Sequence, residues 1–353
     1  MKLQSRPFLL FILSLSILLN LSRPAEAEGE LRERFKERIK ERIVQKIEEA
    51  PAPEVNADIT DKITKSGDYY FSIQHDNLAR MYHVHVPPGY NPATPAMVVF
   101  AFHGGGGDME YMAKDEYYGL ISKADQENTV IVFPNGYSNF QSGKLATWNA
   151  GACCGDAREK NIDDAGFVKQ IVTNLHNQMN IDRNKIFATG MSNGGLMSYR
   201  LACEMADTFT AIASVAGTDN TLQCNPSQPV SIMHIHARND THVLFEGGAG
   251  KDSFQDISKV TEFTSVAETI SRWVKRNQCN PAPQRVLDVA GAYCDLYSAC
   301  ADGVEVKLCV TESGGHSWPG GFKPGGRKQQ HKEPTSKAIS ANDEMWEFFK
   351  SRH

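Results

Sequence analysis

An α/β fold, with a mostly parallel central sheet flanked by helices and entered through an N-terminal β-hairpin, is predicted by three observations. From residue 97 to residue 350, apolar runs of strand length alternate with helical patterns. The run Met97-Val98-Val99-Phe100-Ala101-Phe102 is continuously apolar, as a strand buried on both faces should be. Gly190-Met191-Ser192-Asn193-Gly194 stands between a strand pattern and a helix pattern, which reads as strand, sharp turn and helix. Such alternation implies parallel strands joined by right-handed crossovers.

Taken in order, the chain opens with Lys2 and Arg6 before an apolar run over 8–21, followed by Ala25-Glu26-Ala27 in the small-x-small form that signal peptidases cut. Residues 1–27 therefore read as a secretory signal, with an uncleaved anchor as the alternative; the apolar run is short for a transmembrane span. The mature chain is expected to be secreted, periplasmic or extracellular, with no transmembrane segment. In residues 28–55, Leu31, Phe35, Ile39, Ile43 and Ile47 recur every four positions among Glu, Arg and Lys and end at Pro51-Ala52-Pro53. This is a charged amphipathic helix and a Pro-rich linker, read as a solvated spacer in preference to a docking or membrane-surface helix. Residues 56–353 read as one domain.

Within that domain, strands are expected over 69–73 and 81–86, forming the hairpin, then over 97–102, leading into His103-Gly104-Gly105-Gly106-Gly107. A helix over 112–124, a strand over 130–133 and a helix over 164–179 follow, the last capped by Asp163-Asp164. Next come a strand over 185–189, a helix over 196–205, and strands over 211–215 and 230–235. A helix over 266–276, a strand over 304–310 and a helix over 342–350 complete the pattern.

Composition narrows the chemistry. The net charge of −5 is spread along the chain and does not suggest a nucleic-acid partner; no cofactor is expected, and no obligate protein partner is evident. All eight cysteines lie between 153 and 309 without a C-x-x-C pair, which in an exported chain favours disulfides over zinc. Adjacent Cys153 and Cys154 are not expected to pair with each other, on geometric grounds.

In the turn at 190–194, glycines on either side of Ser192 permit a backbone so tight that the serine hydroxyl is lifted clear at a helix N-terminus. A serine needs a base to become a nucleophile, and in an α/β-hydrolase sheet the order along the chain is serine, acid, histidine. Asp240 follows the strand ending at 235, and His316, in Gly314-Gly315-His316-Ser317-Trp318-Pro319, follows the strand ending at 310. His242 is a competing histidine, disfavoured because it shares a loop with Asp240; His234 and His236 read as structural; Asp219, Asp252 and Asp256 are loop acids that could replace Asp240. The glycine loop supplies side-chain-free N–H groups for an oxyanion, from Gly104, Gly105 and Gly106 with Gly105 preferred, and Asn193 supplies the N–H after the nucleophile. A flexible turn or a phosphate loop is the other reading of those glycines, but no G-K-[ST] follows. His103 reads as structural. Trp148 and Trp318 are candidate substrate-binding aromatics, against the more common fate of tryptophan in a core.

Taken together, His103-Gly-Gly-Gly-Gly-Asp108, Trp148-Asn-Ala-Gly-x-Cys153-Cys154-Gly, Asp163-Asp164-x-Gly-Phe167, Gly-Met-Ser192-Asn-Gly-Gly-Leu-Met and Gly-Gly-His316-Ser-Trp-Pro-Gly resemble the poly(3-hydroxybutyrate) depolymerase and feruloyl esterase family of secreted serine esterases. The resemblance covers about residues 66–350 and implies an α/β-hydrolase fold, a serine triad and no metal. Position by position it supports Ser192, Asp240 and His316 and suggests a bridge from Cys279 to Cys300; Cys294 and Cys309 are the nearby pair that remains. Ala237 stands where such enzymes usually have glycine in His-Gly-x-x-Asp. The expectation is hydrolysis of carboxylic esters through an acyl-enzyme, poly- or oligo(3-hydroxybutyrate) depolymerase-like. The alternative is a feruloyl or acetyl-xylan esterase on plant polysaccharide. A peptidase of related fold is disfavoured because the chain has no gating domain, and a noncatalytic binding protein on a hydrolase scaffold is a reading of another class.

Overall fold

The structure, a computed structural model, describes residues 25–253, 262–322 and 334–352. Residues 1–24 of the expected signal segment and the alternative acid Asp256 lie outside the described residues. The chain divides into two compact units, Met1–Glu49 and Ala50–His353. In the first, helix α1 (Ala25–Glu48) begins before the expected start at 28 and leaves Phe35, Ile39 and Ile43 exposed. No helix among the described residues is long and apolar enough to cross a membrane.

The second unit is built on one ten-stranded sheet. Strands β1 (Gly67–His75) and β2 (Leu78–Val86) form the expected hairpin, with both turn residues, Asp76 and Asn77, at positive φ. That is the demand of a two-residue hairpin turn, and Asp and Asn tolerate it better than other side chains. Strands β3 (Ala96–Phe102), β4 (Val130–Pro134), β5 (Ile181–Met191), β6 (Ala211–Val215), β7 (Ser231–Ala237) and β10 (Val306–Thr311) run parallel in the spatial order β4-β3-β5-β6-β7-β10. The β1–β2 hairpin extends one edge and a second hairpin, β8 (Gln284–Val289) with β9 (Ala292–Tyr297), extends the other, both antiparallel.

The sheet has an apolar layer on each face. Val98, Phe100 and Phe102 of β3 pack with Phe167 of α6 (Asp164–Gln178), Tyr199 of α7 (Asn193–Glu204) and Trp273 of α8 (Val266–Arg276). Val99 and Ala101, alternating with them, pack on the other face with Met345, Trp346 and Phe349 of α9 (Ala341–Lys350). That period of two, with both faces apolar, is why β3 reads as an unbroken hydrophobic run.

The structure corrects several expectations. The helix expected over 112–124 is three short helices, α2 (Met109–Met112), α3 (Asp115–Tyr118) and α4 (Leu120–Gln126). Gly119 breaks it by adopting φ of +63° between the last two. Helix α5 (Gly155–Glu159) and the β8–β9 hairpin have no counterpart in the sequence reading. The described residues carry four disulfides: Cys279–Cys300, Cys294–Cys309, Cys203–Cys224 and, against expectation, Cys153–Cys154. The peptide joining the last two is cis and their Cα atoms lie 3.1 Å apart, closer than a trans peptide allows.

The hairpin also carries a titrating cluster. Asp68 of β1 accepts hydrogen bonds from His83 Nε2 (2.7 Å) and His85 Nδ1 (2.9 Å), and His85 Nε2 reaches Asp125 of α4 at 2.9 Å. Burial lowers the affinity of His85 for a proton, but the two carboxylates outweigh it and raise its pKa; the two histidines hold Asp68 well below the usual carboxylate range. The His85 contribution is complete below its unfolded pKa of about 6.5 and is lost as pH rises through the raised folded value; that of Asp68 is complete above about 3.9 and is lost as pH falls through the lowered folded value. Thermal unfolding of the protein and of Asp68→Asn should therefore differ most between about pH 4 and pH 6.5. A difference independent of pH would show that the cluster contributes only packing.

Candidate active site

The proposed site residues lie on loops that leave the carboxyl ends of β3, β5, β7 and β10, the end at which open α/β sheets place their ligands. Strand β5 runs into Ser192, which has φ of +55° and ψ of −121° and caps α7. Its N–H donates to the Val215 carbonyl at 2.8 Å, fixing the turn to the end of β6. Strained geometry at a non-glycine residue persists only where the surroundings impose it. Here a Cβ at Gly190 would lie 2.4 Å from the carbonyl of Gly194, and one at Gly194 would lie 2.1 Å from the Phe102 oxygen. The two glycines thus let β5 and α7 touch each other and β3. Gly194→Ala should lower stability by roughly 3 kcal/mol or more, displacing the turn. Thermal unfolding would measure this; an unchanged Tm would contradict the packing described.

Because β7 and β10 are adjacent and parallel, the two loops that follow them meet. Asn239 Oδ1 accepts from the Gly315 N–H at 3.0 Å, and His316 Nδ1 lies 2.8 Å from Asp240 Oδ2. The Asp240 carboxylate is wholly buried, and its other oxygen accepts from the N–H groups of His242 (2.7 Å) and Val243 (3.1 Å). Burial alone would raise its pKa, but the His316 charge and the hydrogen bonds from His236 and His316 outweigh burial and hold it far below the ordinary range. The imidazole of His242 stacks face to face on His316, with ring centroids 4.4 Å apart and 17° between planes. Ligand atoms of Asp240, His242 and His316 lie within 4.8 Å of one another, as in a metal cluster. The near-parallel rings keep their in-plane lone pairs in separate planes, however, so the pair as placed cannot converge on one ion. Two other clusters of potential ligands contain disulfide-bonded cysteines.

The glycine loop is shaped from beneath by His103. Its Nε2 accepts from the Gly136 N–H at 2.9 Å, so Nδ1 carries the proton and donates to the Gly104 carbonyl at 2.8 Å. Burial pushes its pKa down to about 4, keeping the ring neutral. The Gly104 carbonyl also accepts from the Gly107 N–H at 3.0 Å. In a trans peptide the N–H points opposite to the carbonyl within the peptide plane, so this anchoring aims the Gly105 N–H away from His103. The Gly106 N–H, expected among the pocket-facing donors, instead donates to the Ala146 carbonyl at 2.8 Å and is committed there. Asn193, as the first residue of α7, presents an N–H that the helix itself leaves open.

Trp148 is corrected from a substrate-binding residue to a brace. It is fully buried, with its indole N–H on the His103 carbonyl (3.0 Å). Its backbone N–H and C=O pair with the side-chain amide of Asn193 at 2.8 and 3.0 Å. Trp318 does line the cleft, mostly buried, with its N–H on Asn342 Oδ1 (2.9 Å). Ser192, His316, Asn193 and Gly104–Gly107 line one open cleft of about 560 Å³. Sequence reasoning missed its aromatic wall. Tyr118 meets Trp318 edge to face at 5.5 Å, and Tyr111 lies 5.3 and 6.0 Å from Tyr117 and Tyr118. The available signal is the cluster Tyr111, Tyr117 and Tyr118, the last two of which a continuous helix over 112–124 hides. Of the alternative acids, Asp252 lines the cleft, whereas Asp219 is buried elsewhere against Trp273 Nε1 and Arg276, each at 3.0 Å.

The parallel sheet, the serine turn and the strand-end loops define an α/β-hydrolase fold. Consistent with this, the chain is similar in structure to an acetyl xylan esterase from Aspergillus awamori (TM-score 0.52, 13% identity, covering 80% of this chain and 98% of that one). Residues 77–320, more than half of the sequence, match the esterase family described as "Putative esterase", and the chain belongs to that family. It is 30% identical over 196 residues to feruloyl esterase B of Piromyces equi, covering 54% of this chain and 34% of the relative. It is also 28% identical over 212 residues to "Probable feruloyl esterase C" of Aspergillus niger, covering 59% and 66%. The chain thus spans less than two thirds of the length of either relative.

Proposed function

We propose that the protein is an exported serine esterase that hydrolyses hydroxycinnamoyl or acetyl esters of plant polysaccharide through an acyl-enzyme. The observation that carries this reading is the 2.8 Å hydrogen bond from His316 Nδ1 to buried Asp240, in a cleft shared with Ser192 and the glycine loop. With Nδ1–H held by Asp240, His316 Nε2 is left as the basic nitrogen and takes the Ser192 proton as Oγ bonds to the ester carbonyl carbon. The carbonyl oxygen becomes an oxyanion, held by the N–H groups of Gly105 and Asn193 at about 3 kcal/mol for a well-placed donor. Collapse breaks the ester C–O bond, and His316 gives its proton to the departing alcohol. Water then attacks the acyl-Ser192 carbonyl, again deprotonated by His316, releasing the acid and restoring the serine.

The choice of acyl group rests on the wall of Tyr111, Tyr117, Tyr118 and Trp318, which offers aromatic faces and phenolic hydroxyls to a planar acyl ring. The relatives named feruloyl esterase, and the structural neighbour named acetyl xylan esterase, favour this over the polyester reading. Four disulfides suit an oxidising compartment and support export, with residues 1–27 as the proposed signal. Methyl ferulate, acetylated xylan and a hydroxybutyrate trimer should be compared by kcat/KM. Turnover of ferulate or acetylxylan above the trimer is expected; a preference for the trimer would return the protein to the polyester reading.

A further inference from the structure

Behind the proposed triad, away from the cleft, lie three polar side chains whose presence in the core is costly unless each is satisfied. Tyr199 of α7 and His234 and His236 of β7 are all buried. The Tyr199 hydroxyl is 2.9 Å from His234 Nδ1, His234 Nε2 is 3.1 Å from His236 Nδ1, and His236 Nε2 is 2.9 Å from the Val243 carbonyl and 3.3 Å from Asp240 Oδ2. The two imidazoles stack with centroids 5.2 Å apart.

The direction of every bond in this row follows from its last member. A carbonyl oxygen only accepts, so His236 Nε2 carries a proton and donates to Val243 and Asp240. A ring with its single proton on Nε2 offers Nδ1 as an acceptor, so His234 donates to it from Nε2. His234 Nδ1 is then an acceptor, and the Tyr199 hydroxyl donates to it. Burial keeps Tyr199 protonated and His234 neutral, which agrees with that direction.

We propose that Tyr199, His234 and His236 form a one-way hydrogen-bonded chain that positions the Asp240 carboxylate and shares its charge with His316. This rests on the triad reading. Asp240 Oδ2 receives donors from two imidazoles, His316 at 2.8 Å and His236 at 3.3 Å, while its other oxygen is held by backbone. The Val243 carbonyl fixes the His236 tautomer, so that a donor and not a lone pair faces the carboxylate, and the His234 donor on Nδ1 holds the ring in that place. The same donor withdraws part of the carboxylate charge from His316. These three are positioning residues, since none of them lines the cleft.

Removing the chain has a signed consequence. Without the His234 bond the His236 ring is no longer held against Asp240; a carboxylate whose second donor is weakened holds the His316 imidazolium more strongly, so the protonated base persists to higher pH and the acid limb of kcat/KM moves up. The other titratable groups around His316 are His242 stacked on it, Asp252 and Asp108 on the cleft lining, and the phenols of Tyr111, Tyr117 and Tyr118; around Tyr199 they are Asp219 and Arg276 of the adjoining loop and helix. None of these is altered by the substitutions below.

The test uses the full chain with p-nitrophenyl acetate, with kcat expressed per fluorophosphonate-titrated site so that partly unfolded protein does not count. Tyr199→Phe keeps the ring and removes only the hydroxyl, His234→Leu breaks the chain, and His234→Gln keeps an acceptor for Tyr199 and a donor for His236. Tyr199→Phe and His234→Leu should lower kcat by roughly 3- to 10-fold with KM near that of the parent. Both should move the acid limb up by about half a pH unit, and His234→Gln should restore limb and rate. An unmoved acid limb in Tyr199→Phe and His234→Leu, or equal behaviour of the Leu and Gln variants, would overturn the proposal and leave the row as packing. If fluorophosphonate failed to label Ser192 in the parent, the triad reading itself would fall, and the chain with it.

Discussion

Ser192→Ala should lower kcat by about 10⁵-fold while leaving the fold and Tm nearly unchanged. The rate falls because a methyl group cannot form the acyl intermediate, and the remaining oxyanion donors stabilise only a slow direct attack by water. The fold survives because alanine fits the space of serine, and the Ser192 backbone bonds, N–H to Val215 and carbonyl to the Leu196 N–H, are untouched. The +55° φ costs alanine no less than serine, so Tm is expected to fall by no more than a few degrees. Mass spectrometry after fluorophosphonate treatment gives the decisive readout: one adduct on the parent protein and none on the variant. Retained labelling or retained turnover would remove Ser192 from the mechanism and revive the noncatalytic or differently catalysed readings.

Asp240→Asn should cost about 10⁴-fold in kcat, through a tautomer and not through lost packing. The new amide has one oxygen, and the two backbone donors of His242 and Val243 claim it, because both N–H groups already point at that corner of the side chain. The amide nitrogen is thereby turned toward His316 Nδ1 and His236 Nε2. His316 must then accept at Nδ1 and carry its proton on Nε2, the atom needed to take a proton from serine. Unlike Ser192→Ala, this variant keeps its nucleophile, so slow fluorophosphonate labelling at Ser192 should persist. Rapid labelling together with parent-like turnover would show that another acid, Asp252 or Asp108 of the cleft lining, serves the base.

Much of this arrangement was legible in the residues because local signals and the fold demand the same thing. The apolar runs of β3, β6 and β7 and the glycines at 190 and 194 each announce a buried parallel strand or a close approach, and those contacts are present. What was hidden depended on relations between distant segments. The β8–β9 hairpin has mostly exposed or half-exposed residues and so little alternation to read; its glycine at 291 was the one clue. Trp148 looked like a loop aromatic because nothing in sequence shows that the Asn193 amide, 45 positions away, would pair with its backbone. Tyr117 and Tyr118 were invisible as a wall beside Tyr111 while Gly119 was read as a helix interior and not as its break. The cis Cys153–Cys154 pair breaks a rule that sequence alone gives no reason to suspend.

The buried Trp148 brace has an evolutionary consequence. It joins the His103 carbonyl, its own backbone and the amide beside Ser192 by bonds of 2.8 to 3.0 Å, without lending any atom to the surface a substrate would meet. That surface is furnished instead by short helices after β3 and by the segment around Trp318. On the proposed function, reactivity and selectivity would be separately heritable: substitutions in the tyrosine-bearing segments would retune which acyl group fits while leaving the bonds around Ser192 as they are.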